Sequence, residues 1–159
     1  QPTNFYMLGT MGLASSLGLG LALTQKQKII SIDGDGSVLT NFGTLPTIAN
    51  NTANNFILLI IDNGSYGSTG DQPTYAGKKT SLTEVARACG CDCVIECKGE
   101  DTAEELQKAL KSEKMTSMVE PSFAANENEL VPKASGDPSL FASVAKALFV
   151  SEAIMMPST

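Results

Sequence analysis

With 159 residues, 42% of them hydrophobic, and a mean hydropathy of +0.02, the chain reads as one soluble domain large enough for its own core. Eleven Lys and Arg stand against 17 Asp and Glu, a net charge of −6 and a pI near 4.6; no basic cluster exceeds Lys78-Lys79, which argues against nucleic acid as a partner. There is no His, so acid–base chemistry must come from another residue type, a cofactor or another chain.

Hydrophobic periodicity predicts, in chain order, a helix over 11–24, a strand over 28–32, a helix over 40–51, a strand over 56–61 and a helix over 81–89. A strand over 93–97, a helix over 102–112, a strand over 116–120 and a helix over 138–149 follow. This alternation is the signature of an α/β domain, a parallel sheet with helices on both faces. Ser81 to Glu84 and Thr102 to Glu105 both fit the capping box, and Asp137-Pro138 sets a cap residue before a proline suited to the first helical position. The apolar runs 17–23 and 57–61 are too short to span a bilayer, and nothing reads as a signal peptide. The chain begins at Gln1 rather than Met, which reads as an N-terminus trimmed or processed.

The four cysteines, Cys89, Cys91, Cys93 and Cys97, all lie in CGCDCVIEC. Their spacing fits no common zinc or iron–sulfur pattern. In an extended strand Cys91, Cys93, Ile95 and Cys97 alternate onto one face as small hydrophobes, which implies reduced thiols and a cytoplasmic setting.

Two loops fall where such folds gather ligands, at the carboxyl ends of strands: Asp33-Gly34-Asp35-Gly36-Ser37 and Asp62-Asn63-Gly64-Ser65. As an EF-hand the first would need Gly at position six and Glu at twelve; Val38 and Thr44 stand there, so calcium is excluded. The stretch IISIDGDGSV also resembles the first motif of haloacid dehalogenase phosphatases, in which Asp33 would be the nucleophile and Asp35 the general acid/base. That family needs Ser or Thr where Asp62 stands, and a late acidic pair for which only Glu120 is available.

Taken together, the two loops resemble the signature of thiamine diphosphate enzymes: a GDG opening and, 28 positions after Asp35, the second Asn of a closing pair, Asn63. Asp62 replaces the first Asn. MLGTMGLASSLGLGLAL, residues 7–23, is similar to the segment that precedes GDG in thiamine diphosphate decarboxylases and acetolactate synthases. Within them, NFYMLGTMGLASSLGLGLAL and DNGSYGSTGDQPT resemble the cofactor-binding subunits of sulfopyruvate decarboxylases, with phosphonopyruvate decarboxylases as near relatives. The similarity runs from about residue 4 to about residue 150, and it implies a single cofactor-binding (pyrophosphate) domain over 1–159.

The resemblance assigns Mg²⁺ to Asp35, to Asn63 and to the backbone carbonyl of Ser65, hard oxygen donors of the kind Mg²⁺ requires. It assigns thiamine diphosphate to Gly9, Thr10, Met11, Gly34, Gly36, Ser37, Gly64, Ser65 and Tyr66. Met11 would wedge between the cofactor's two rings, the Gly9 carbonyl would accept from its 4′-amino group, and Gly36 and Ser37 would open a helix toward the diphosphate. The two departures, Gly67 where relatives often carry Glu and Asp71 where they carry Gly, fall in the loop set against substrate, a small anionic 2-oxo acid. No residue of this chain is expected to act as the catalytic acid or base. Full-length members also carry a pyrimidine domain with the activating Glu; Glu84, Glu96, Glu104 and Glu105 lie on elements away from the loops, so that Glu is expected from a partner subunit.

Overall fold

The computed structural model describes residues 4–51, 54–76, 78–112 and 117–122. Four parallel strands, β1 (Ile29–Gly34), β2 (Phe56–Ile61), β5 (Cys93–Lys98) and β6 (Ser117–Ser122), form one sheet in the order β1-β2-β6-β5. A separate two-residue hairpin joins β3 (Ser65–Tyr66) to β4 (Gln72–Pro73). Helices α1 (Ala14–Thr24), α2 (Asp35–Thr40), α3 (Thr44–Asn51), α4 (Leu82–Ala88) and α5 (Thr102–Lys111) connect the strands, with one 3-10 turn at Gly99–Asp101. The predicted helix over 138–149 lies outside the described residues.

Strand β2 explains the architecture. Its sequence FILLII has no polar position because both sheet faces are covered, as the continuous apolar run predicts. Phe56, Leu58 and Ile60 pack into a core with Leu19, Leu45, Ile48 and Leu82 from α1, α3 and α4. Ile57 and Leu59 pack on the other face against Leu106 and Ala109 of α5. Helix α1 approaches β1 closely enough that a Cβ at Gly18 would lie 2.9 Å from the Phe56 and Ser31 side chains, so only glycine fits.

Three expectations change. The helix expected over 40–51 starts only at Thr44, after a break at Asn41 to Gly43 that separates it from α2, because Pro46 lacks an N–H and its ring would meet the carbonyl four residues back in a continuous helix. Asn41 uses the break, donating its amide to the Gly12 carbonyl at 2.8 Å. Thr102 is not a cap residue: Asp101 precedes α5 without a side-chain cap, and Thr102 Oγ1 donates instead to the Gly99 carbonyl. Of the other box the N-cap half is present, with Ser81 Oγ accepting from the Glu84 N–H, while Glu84 Oε1 pairs with Arg87. Finally, the cysteines do not share one face. Cys89 and Cys91 precede β5 and pack on the α1–α4 side, while Cys97 and Ile95 pack against α5. Burial pushes the Cys91 thiol up to about 11, so it behaves as core.

Candidate functional site

Parallel register places the two loops side by side. Gly34, the last residue of β1, pairs with Ile61, the last residue of β2, so Asp35 and Asp62 emerge at the same level of the sheet. Such adjacent carboxyl ends are where an α/β sheet holds ligands.

Asp35 is the centre. It is 1% exposed, yet only one carboxylate oxygen is satisfied: Oδ2 accepts from Thr74 Oγ1 at 2.5 Å, and Oδ1 is buried without a partner. A buried charge is costly unless paired, so a half-satisfied carboxylate at the mouth of the sheet calls for a cation. Asp33 Oδ2 is also buried and unpartnered, while Oδ1 accepts from the Gly34 N–H; burial pushes this carboxyl above its ordinary value, opposed by hydrogen bonds from Ser37 and Gly34.

The second loop is held by its own side chains. Asp62 Oδ1 accepts from the Gly64 N–H at 2.9 Å and Asn63 Oδ1 from the Ser65 N–H at 3.1 Å, turning the chain through Gly64 at φ +66°. An amide oxygen keeps a second lone pair, so this bond leaves Asn63 able to bind a cation. Ser65 pairs across the hairpin with Pro73, which has no N–H to give to the Ser65 carbonyl. Asp35, Asn63 and the Ser65 carbonyl are therefore hard oxygen donors that fit a small divalent cation bound through one carboxylate. Among the described residues no group of three or more His, Cys, Asp or Glu is placed to hold a metal, so such a cation would depend on this mixed set.

The first loop meets the N-terminal segment through Ser37, whose hydroxyl accepts from the Gly12 N–H at 2.7 Å. That segment is open. Gly9 has φ +70° with no atom near its missing Cβ, the Thr10 carbonyl accepts from the Leu13 N–H, and Met11 is 47% exposed. Around Gly34 and Gly64 a Cβ would also meet nothing, which leaves room for a ligand to approach backbone. Gly36 differs: a Cβ there would lie 2.5 Å from the Tyr66 ring, so its small size serves the packing of the hairpin. Helix α2 begins at Asp35, one residue before the expected Gly36.

To two residues the sequence assigned no role at the site. Thr74 is buried and touches Asp35 across 39 positions, for which local pattern gives no signal. Glu96, placed by the sequence away from the loops, accepts from Thr83 Oγ1 at 3.0 Å and is near enough to Asp62 to raise its carboxyl. Asp71 has φ +57°, a left-handed conformation in which glycine carries no strain; its carboxylate accepts from Ser65 Oγ at 3.4 Å.

Burial first, and then the charge of Asp35, push the Asp62 carboxyl above its ordinary value. The sign follows: an acid with a raised folded pKa makes its smallest cost at low pH, and its ionisation destabilises the fold as pH rises past the unfolded value. Asp62→Asn is therefore expected to raise the melting temperature of the metal-free protein at neutral pH. The gain should vanish below the ordinary carboxylate range, and an equal gain at every pH would show that ionisation is not its source.

A family model described as thiamine pyrophosphate enzyme, C-terminal TPP binding domain, matches residues 1–120. The chain is similar to the sulfopyruvate decarboxylase subunit beta of Methanocaldococcus jannaschii, 51% identical over 124 residues that cover 78% of this chain and 66% of the relative. A subunit beta from Methanococcus maripaludis is 49% identical over 132 residues, covering 81% of this chain and 68% of the relative. The chain thus spans about two thirds of the length of these relatives. Among solved structures it is similar to the thiamine diphosphate-dependent 4-hydroxybenzoylformate decarboxylase of Rhodococcus jostii, with a TM-score of 0.57 and 20% identity over 74% of this chain and 24% of that chain, a likeness of fold.

Proposed function

This chain belongs to the thiamine pyrophosphate enzymes, through their C-terminal cofactor-binding domain, and from that premise we propose that it is the cofactor-binding subunit of a 2-oxo acid decarboxylase. The substrate is a small 2-oxo acid bearing a second anionic group, sulfopyruvate ahead of phosphonopyruvate, and the products are carbon dioxide and an aldehyde. The observation that carries this reading is the buried Asp35 carboxylate with one oxygen unpartnered, beside Asn63 and Ser65.

Asp35, Asn63 and the Ser65 carbonyl would hold Mg²⁺, and Gly34, Gly64 and the N-terminal segment around Gly9 to Met11 would receive thiamine diphosphate. When bound, that cofactor supplies a carbanion that attacks the keto carbon and an electron sink for the departing carboxylate. The chain's own part is to position: Ser37 ties the N-terminal segment to the first loop, and the hairpin closes over α2 through Tyr66 and Thr74.

The activating Glu comes from a pyrimidine-domain partner subunit. Phe5, Tyr6, Leu8 and Leu13 are exposed around the open segment, with Leu8 98% exposed, and an apolar surface of this kind beside a site supports a partner that covers it. No helix among the described residues is long and apolar enough to cross a membrane; four free cysteines support a reducing cytoplasm.

A second anionic group needs hydrogen-bond donors and positive charge. The chain offers Ser68, Thr69 and Gln72 in the hairpin, and Thr69 Oγ1 and Gln72 already bond each other, so the partner must bring basic residues. In a competition among pyruvate, sulfopyruvate and phosphonopyruvate on the assembled enzyme, sulfopyruvate is expected to be decarboxylated first. A preference for plain pyruvate would overturn the anionic substrate and leave the cofactor site standing.

A further inference from the structure

Thr74 is not among the residues to which the resemblance assigns metal or cofactor. It lies 39 positions after Asp35, just past β4, and is 1% exposed. Its hydroxyl donates to Asp35 Oδ2 at 2.5 Å, and its backbone N–H donates to the Gly64 carbonyl at 2.9 Å, between Asn63 and Ser65. Its methyl lies 3.2 Å from where a Cβ on Gly36 would stand, so it also packs against the residue that follows Asp35. One buried residue therefore touches both ligand loops.

We propose that Thr74 is a positioning residue for the cation site, setting the Asp35 carboxylate so that Oδ2 is bound by protein and Oδ1 is left for Mg²⁺. This rests on the functional reading above. The argument is one of degeneracy. A carboxylate has two equivalent oxygens and a broad terminal torsion, and a cation site gains if only one orientation is populated before the metal arrives. A short hydroxyl-to-carboxylate bond of this kind is among the stronger hydrogen bonds. The hydroxyl is itself fixed, because the Thr74 N–H is tied to Gly64 and the preceding Pro73 is paired with Ser65. Movement of the hairpin would thus be felt at Asp35, Asn63 and Ser65 together.

Outer partners of metal-binding side chains are worth about 10- to 100-fold in metal affinity. The test is titration of Mg²⁺ into the assembled enzyme at fixed thiamine diphosphate, read by calorimetry and by turnover, for Thr74→Val, Thr74→Ser and Asp35→Ala. Thr74→Val keeps the branched shape and loses the donor, so the Mg²⁺ half-saturation is expected to rise by about 10- to 100-fold, with turnover restored at saturating Mg²⁺. Thr74→Ser, which keeps the donor, is expected to recover most of the affinity. Should Thr74→Val fail to assemble, Thr74→Ala and Thr74→Ser give the same contrast.

A purely structural Thr74 would lower the melting temperature of the metal-free protein and leave the Mg²⁺ half-saturation unchanged, and that result would overturn the proposal while Asp35→Ala still lost binding. Unchanged Mg²⁺ binding in Asp35→Ala would instead remove the functional reading, and this inference with it.

Discussion

Asp35→Ala is expected to abolish retention of Mg²⁺ and thiamine diphosphate by the assembled enzyme while the fold persists. The loss should exceed about 100-fold, the upper end of what removing an outer partner costs, because here the one buried carboxylate of the donor set is removed. The effect on folding runs the other way in part. The substitution takes away a buried charge that is only half satisfied, which favours the metal-free fold, and it leaves Thr74 Oγ1 without its acceptor, a cost of about 1–3 kcal/mol. The two largely offset, so the melting temperature of the metal-free protein should move little. Asp33→Asn should be milder for cofactor retention, since Asp33 lies on β1 before the loop. The check is calorimetry of the assembled protein, and unchanged cofactor binding by Asp35→Ala would remove the metal assignment.

The isolated chain is expected to show no decarboxylase turnover until a pyrimidine-domain subunit is added. Among the described residues, Glu96 reaches the site but is already engaged by Thr83 and lies near enough to Asp62 to raise its carboxyl, within the acidic end of the sheet. A carboxylate there adds to the charge around a cation; it offers nothing to the open apolar segment around Gly9, where the activating group is needed. Turnover should appear on titration with the partner and saturate at a fixed ratio. Self-association of the isolated chain through Leu8, Met11 and Leu13 is compatible with this, whereas turnover by the rigorously purified chain would contradict it.

Strands β1 and β2 were legible because each is a run of branched apolar residues that gives way to Asp and Gly: both lie close to where the sequence predicts, with their loops at the carboxyl ends. The pairing of GDG with Asn63 was legible as spacing, since one strand, a crossover and the next parallel strand have a fixed length. What could not be read arises from contacts distant in sequence or too short for periodicity. The hairpin has two residues per strand, below any detectable alternation, and its purpose is seen only when Tyr66 meets Gly36 and Thr74 meets Asp35. The break at Asn41 to Gly43 was present in the sequence as Pro46, but the apolar spacing on both sides masked it. Glu96 was misplaced because a strand position says nothing about which neighbour it reaches across the sheet. The phosphatase reading, carried by one loop alone, has no support once residues 1–120 match a thiamine pyrophosphate domain.

The strand order has a consequence for the order of folding. All the candidate ligand residues lie between Gly9 and Tyr66, so they leave the ribosome before β6 does. Yet β2, which carries the Asn63 loop, is flanked by β1 on one side and by β6 on the other, and Leu59 pairs with Val119, 60 positions later. Contacts of such sequence separation form late, after their loop entropy has been met. A nascent chain can therefore display every ligand residue without holding them in place, and cofactor capture becomes an event that follows synthesis of β6.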